Sequence, residues 1–248
     1  MLRVSHLSKR FEELIVLKDF ELTVPTHGFT VLIGPSGCGK STLFDLLSGI
    51  VPREEGHISW HGMEVPDLGS KAAYMQQKDL LLPWLSLFNN ALLPAQLAGQ
   101  SPGKAREEAL SLFRQLGLHG FEAYPPGKVS GGMRQRCALV RTLMFKRELA
   151  LLDEPLSALD AITRRTLHGL LLMLQHEFKK SILMITHDVE EALLLADELL
   201  VLTRPPMRIR ERFVLDTPKP RRADTVEFLR IKEHVLKGLQ EDLIHEMV

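Results

Sequence analysis

Apolar residues in the first third of the chain come in short runs broken by turn residues. Stretches 14–17 and 20–24 are apolar-rich and close on Pro25 and Gly28, which predicts strands. Segment 29–33 is a sustained apolar run, as expected of a strand buried on both faces, and it ends in a glycine-rich turn. The pattern then shifts to a helical period over 41–47, and 56–60 gives a further strand before the turn His61-Gly62. From about 78 to 147 the spacing is mostly helical, clearest over 105–116 and 133–145, with Pro83, Pro94, Pro102 and Pro125-Pro126 as breaks. Segments 149–152 and 181–185 return to buried-strand composition around a long helix at 163–177, the strand–crossover–strand unit of a parallel sheet. Beyond Thr203 lie Pro205-Pro206, a Pro218-Lys219-Pro220-Arg221-Arg222 stretch expected to be a solvated linker, and an amphipathic helix from Thr225. The length allows one large α/β domain or two small ones and does not decide between them; the helical stretch at about 78–147 and the tail at about 205–248 are the segments that depart from the strand-rich remainder.

Composition narrows the function. Lys plus Arg balances Asp plus Glu at 31 each, so there is no general basic footprint and no nucleic-acid partner is expected. Two cysteines are too few for a disulfide framework and fit a reducing compartment. No apolar run approaches the roughly 20 residues that cross a bilayer, and the N-terminus lacks a signal-peptide core. The expected location is the cytoplasm, with any membrane role exercised through a partner.

The chemistry is concentrated in Gly34-Pro35-Ser36-Gly37-Cys38-Gly39-Lys40-Ser41-Thr42, which fits G-x-x-x-x-G-K-[ST] between a buried strand and a helix. Glycines there allow a tight turn whose N–H groups approach phosphate oxygens, and the helix start adds partial positive charge. Lys40 is expected to reach the β and γ phosphates and Ser41 to ligate Mg²⁺. The run ending in Asp153-Glu154 places two acids at the carboxyl edge of a sheet. Asp153 is expected in the Mg²⁺ shell and Glu154 as the base that polarises the attacking water.

Shortly before those acids, Ser130-Gly131-Gly132-Met133-Arg134-Gln135-Arg136 resembles the signature motif of ATP-binding cassette proteins. The usual opening is Leu-Ser-Gly-Gly-Gln, from which Val129 and Met133 depart; Met in the last place is similar to many importers of the nitrate, sulfonate and taurine group. Gln77, in Gln77-Lys78-Asp79-Leu80-Leu81-Leu82-Pro83-Trp84, resembles the Q-loop glutamine, preferred to Gln76 by its spacing to Pro83. Leu156-Ser157-Ala158-Leu159-Asp160 resembles the D-loop, Thr186-His187-Asp188 the switch-histidine motif, and Phe11 lies where the family stacks an aromatic ring on adenine.

The resemblance covers essentially the whole chain. It implies a P-loop, RecA-like core with an N-terminal antiparallel β-subdomain and an inserted helical subdomain. It also implies a homodimer sandwiching two ATP molecules, each closed by Ser130, Gly131, Gly132 and Met133 of the opposite chain. ATP and Mg²⁺ are the implied cofactors, with Ser41, Gln77 and Asp153 around the metal and Lys40, Gln77, Glu154 and His187 in catalysis. The implied role is the ATPase subunit of an importer, at the cytoplasmic face of the inner membrane. A separate permease and an extracytoplasmic binding protein would select the solute. The alternative is a non-transport cassette acting in DNA repair or translation, which predicts paired cassettes, a coiled-coil insertion or a basic surface. A regulatory module without hydrolysis predicts loss of Lys40, Glu154 or His187, and all three are present. Import over export rests on family analogy alone. The 80–85 run either packs the helical subdomain or, Trp84 above all, receives a permease helix. Cys38, Cys137, His57, His61, His168 and His176 carry no chemistry by their spacing.

Overall fold

The computed structural model describes residues 1–157 and 159–244. A six-stranded sheet is built from β3 (Phe29–Ile33), β6 (Ala72–Met75), β7 (Leu149–Asp153), β8 (Ser181–Ile185), β9 (Glu198–Leu202) and β10 (Ile209–Val214). Its order is β10-β9-β3-β8-β7-β6, parallel from β9 to β6, with β10 antiparallel at one edge. A four-stranded antiparallel sheet, β2-β1-β4-β5, is formed by β1 (Leu2–Phe11), β2 (Leu14–Val24), β4 (Glu55–Trp60) and β5 (Met63–Val65).

Strands β3, β7 and β8 are buried at every position because both faces of the parallel sheet are covered. Their side chains alternate between two cores. Phe29, Val31, Ala150, Leu152, Ile182 and Met184 face one core, which is shared with α2 (Leu87–Leu97), α3 (Pro102–Gln115), α4 (Gly131–Leu143), α5 (Ala161–His176), α6 (Val189–Leu195) and α7 (Val226–Ile244). Leu32, Leu149, Leu151, Leu183 and Ile185 face the other, beneath α1 (Lys40–Ser48) and the antiparallel sheet. Between β6 and β7 the chain is helical and contributes no strand.

Several expected elements come out differently. Segments 14–17 and 20–24 are one strand, β2; the polar break at Lys18-Asp19 is absorbed by register shifts against β1, with Asp19 at φ 52°. Strands β6, β9 and β10 had no separate sequence signal, being short runs that periodicity alone does not tell from helix. Among the described residues no helix is long and apolar enough to cross a membrane.

The expectation of a solvated linker at 218–222 is wrong. Lys219 is buried, its ammonium 2.6 Å from Asp197 and donating to Gln175 Oε1 at 2.8 Å. The Arg221 guanidinium donates to the carbonyl oxygens of Thr217 (2.7 Å), Leu193 (3.1 Å), Ala196 and Leu215. Two basic residues therefore strap the C-terminal extension onto the ends of α5 and α6, and α7 then buries Phe228 and Val235 in the core. The sequence could not distinguish this from a linker, because exposed and strapped Pro-Arg segments share one composition. Arg221→Ala should lower unfolding free energy by about 2–3 kcal/mol in urea titration, because it strands several carbonyl groups without donors. Lysine should not restore the loss, since an ammonium cannot reproduce the planar fork.

Candidate nucleotide site

Because β3, β8, β7 and β6 are parallel neighbours, their carboxyl ends lie side by side on one edge. That edge presents, in order, the loop 34–39 after β3, Thr186-His187-Asp188 after β8, Asp153-Glu154 ending β7, and Gln76-Gln77 after β6. Residues far apart in sequence thus meet without any further device.

The loop fits a polyphosphate. Gly37 and Gly39 adopt φ of 74° and 107°, a backbone that side chains disfavour. A Cβ on Gly39 would fall 2.5 Å from Val16 Cγ1, and one on Gly34 would meet Leu202 Cβ at 2.9 Å. Gly39 caps α1 with no side-chain hydrogen bond, and the first turn of α1 holds no acid, so its leading N–H groups remain available to an anion. Lys40 is buried and folds over the loop, donating to the carbonyl oxygens of Gly34 and Pro35, both at 2.8 Å. Ser36 and Thr42 sit at the rim and on α1 respectively. Cys38 is buried beneath the loop, and burial pushes its thiol up, away from reactivity.

Metal chemistry is accommodated by two groups. Asp153 is almost fully buried, and the Ser41 hydroxyl donates to its carboxylate. Burial raises the Asp153 pKa, reinforced by the negative charges of Glu154 and Asp45 and opposed by Ser41 and Lys40. A carboxylate plus a hydroxyl beside a phosphate loop suits Mg²⁺, which keeps waters and shares phosphate oxygens. Among the described residues no cluster of three or more His, Cys, Asp or Glu forms a metal cage.

Glu154 is the hub. Its Oε2 lies 3.3 Å from Gln77 Nε2 and 3.4 Å from His187 Nδ1. Its backbone sits at φ 49°, a conformation tolerated only where neighbours fix it. They do so here: its N–H donates to Ile185 O at 3.0 Å, while Gln135 Nε2 (2.9 Å) and the Ser157 hydroxyl (3.1 Å) donate to its carbonyl. Gln77, not Gln76, makes the contact to Glu154. Sequence reasoning missed Gln135 as the residue that positions this turn.

Ser130 caps α4, accepting from Met133 N–H at 3.3 Å, with Gly131 and Gly132 opening the helix. Among the described residues no hydrogen bond joins Ser130 to the 34–42 loop of its own chain. Asp160 caps α5 through Thr163 (N–H at 3.0 Å, hydroxyl at 2.7 Å); Ala158 of the D-loop lies outside the described residues. Phe11 is 45% exposed, with exposed Leu14 and Ile15 beside it and Lys9 Nζ 5.1 Å from its ring. Its hairpin partner β2 touches the loop at Val16, so this apolar patch lies near the site.

The segment after Gln77 is tied to the signature helix. Arg134 pairs with Asp79 at 3.0 Å, and Arg141 donates to the carbonyls of Asp79 (2.7 Å) and Leu80 (2.8 Å). Buried Asn90 cinches the following loop, accepting from Leu82 N–H at 2.7 Å and donating to the carbonyls of Leu82, Leu85 and Ser86. Leu81 is core, whereas Leu80 is exposed and Trp84 is 75% exposed. Cys137 is core too, pushed up to about 12 by burial, and His57 and His61 pair with Glu64 and Glu148 on the surface.

A profile of the ABC transporter family matches residues 17–157. The chain belongs to the ABC transporter ATPase family. This cassette is 37% identical over 250 residues to the taurine import ATP-binding protein TauB of Escherichia coli O157:H7, covering 97% of the chain and 98% of that protein. It is 36% identical to the uncharacterised ABC transporter ATP-binding protein MJ0412 of Methanocaldococcus jannaschii, covering 99% and 94% respectively. Among solved structures, it is similar to the dimeric ATP-binding cassette MJ0796 in a post-hydrolysis state bound to ADP and Pi. That match has a TM-score of 0.80 at 26% identity, over 88% of the chain and 100% of that structure. The antiparallel sheet beside a RecA-like sheet is the cassette fold that the resemblance implied.

The buried acid of the cassette carries a stability consequence. An acid whose folded pKa is raised holds its proton to higher pH when folded than when unfolded, so stability falls as pH rises through that window. Ionised Asp153 therefore costs stability at neutral pH when no cation is supplied. Asp153→Asn should melt a few degrees higher than the parent at pH 7.5 without nucleotide or Mg²⁺. The gain should shrink toward acid pH, as thermal melts across pH would record.

Proposed function

We propose that this cassette is the energy-coupling subunit of an importer, acting as a homodimer beneath a separate permease at the cytoplasmic face of the membrane. The single observation that carries the catalytic part is the Glu154 carboxylate, held between Gln77 and His187 on the edge that bears the phosphate loop. In this reading Lys40 and the N–H groups of the loop and α1 bind the phosphates, and Ser41, Asp153 and Gln77 hold Mg²⁺, which supplies charge neutralisation when bound. Glu154 orients the attacking water and takes up its proton, while His187 anchors the γ-phosphate end and Gln77 reports its presence. Phe11 and its apolar neighbours receive the adenine.

Dimerisation follows from the division of labour within the chain. The Ser130 helix start is a phosphate-binding element that does not serve its own loop, so a second copy supplies it across the interface. The dimeric MJ0796 cassettes, similar over 88% of this chain, support the same arrangement. Import and a small solute of the taurine, sulfonate or nitrate kind are supported by the TauB relatives. The permease and an extracytoplasmic binding protein would choose among these solutes.

Glu154→Gln should retain ATP affinity but lose at least about 100-fold in steady-state hydrolysis, because the amide takes up no proton. With ATP and Mg²⁺ it should sediment as a dimer, while Ser130→Arg should stay monomeric and Lys40→Ala should bind ATP poorly. Native-rate hydrolysis by Glu154→Gln, or dimerisation indifferent to ATP, sinks the mechanism.

Residues 78–147 are taken to tilt as a unit and carry the permease contact. Trp84 stands out on a loop that Asn90 holds rigid, the form of an aromatic anchor. Trp84→Glu should leave basal ATPase activity within about twofold and abolish co-purification with the permease. Survival of the complex would place the contact elsewhere.

A further inference from the structure

A second cavity lies far from the nucleotide edge, at the amino ends of the parallel strands. It measures about 520 Å³ and sits between one face of α3, the end of α4, and a wall from β6, β7 and α5. Its cause is visible in the sequence. Ala73 and Ala150 pair directly across β6 and β7, and two small side chains side by side leave the sheet floor hollow where larger residues would have filled it. The walls above are Leu112, Leu143, Met173 and Phe178, the last well exposed for a ring of its size.

The mouth is cationic. Lys146 is satisfied by Glu108 at 2.6 Å. Arg147 has no side-chain partner among the described residues, and the Lys180 ammonium donates to the Arg147 carbonyl. Burial pushes Lys180 below the ordinary lysine value, while the nearby charges of Glu148 and Glu108 act the other way. An apolar chamber within the size range of small-ligand sites, about 300–1,000 Å³, thus opens onto a rim that carries Arg147 and Lys180, able to receive an anionic head group.

We infer that this cavity is an effector site for a single-chain amphipathic organic anion, with its tail among Leu112, Leu143, Met173 and Phe178 and its head on Arg147 and Lys180. One wall belongs to the helices between β6 and β7 and the other to the sheet and α5. An occupant therefore ties the two together and alters how freely the helices shift during ATP turnover.

The test is calorimetric titration of the whole chain with decanoate below its micellar concentration, ADP being held saturating so that the nucleotide site is filled. Decanoate should bind one per chain, octanoate roughly tenfold more weakly for the two lost methylenes, and decanol at least tenfold more weakly for the lost charge. Ser111→Trp, placed on the α3 face of the cavity, should abolish binding. Arg147→Glu changes an exposed residue and so keeps the test valid if the tryptophan variant misfolds. It should weaken decanoate at least tenfold and leave decanol unchanged. Saturating decanoate should change the ATPase rate at least twofold in the parent and not in Arg147→Glu. Absence of stoichiometric binding, equal binding of decanoate and decanol, or unchanged binding in both variants overturns the site. An unaltered ATPase rate in the parent overturns its role as an effector site.

Discussion

Everything in this cassette depends on the left-handed turn at Glu154. A parallel sheet brings β3, β8, β7 and β6 to a common edge, but alignment of strand ends does not aim a carboxylate. The chain must leave β7 sharply enough that Asp153 stays buried under the phosphate loop while Glu154, the next residue, turns out between Gln77 and His187. Adjacent residues on a continuing strand would face opposite sides. The positive φ breaks that alternation, and bonds from Ile185, Gln135 and Ser157 hold it. Three elements, β8, α4 and the turn after β7, thus fix one backbone conformation.

That turn concentrates like charge. Asp153, Glu154 and Asp45 repel one another around a buried point, and among the described residues Lys40 is the cation that offsets them at Asp153, already engaged by loop carbonyls. Such a cluster is unfavourable by itself, and in the proposed reading Mg²⁺ and phosphate complete its charge pattern.

Much of this was legible in the sequence where chemistry and periodicity coincide. The glycines and Lys40 match a phosphate-loop pattern between a buried strand and a helix, and Asp153-Glu154 end the apolar run that folds as β7. Gln77 was separable from Gln76 by spacing, and it is Gln77 that touches Glu154. What escaped were features set by tertiary context. The strap through Lys219 and Arg221 looks like a linker until Asp197 and the carbonyls at the end of α6 are placed beside it. Gln135 reads as one polar position on α4, and its tie to Glu154 needs a contact 19 residues away in sequence. Trp84 and Leu81, close together in one apolar run, have opposite fates, because Asn90 folds the loop so that one faces the core and the other solvent.

The same helix that carries the signature also holds the segment that follows Gln77. Arg134 and Arg141 stand two turns apart on α4, hence on one face, and both grip residues 79–80. A guanidinium bonded to backbone carbonyls allows little independent motion. Ser130 at the start of α4 and Gln77 beside the clamped segment are then parts of one body, although they are expected to address two different nucleotides. In the proposed reading a displacement of Gln77 by nucleotide is shared by Ser130, and Asn90 ties the loop bearing Trp84 to the same segment. Coupling between the two nucleotides, and from either to the surface at Trp84, therefore requires no transmitted wave of local changes. In the proposed reading it requires only that this clamped body pivot on the sheet about the bond from Gln135 to the Glu154 carbonyl.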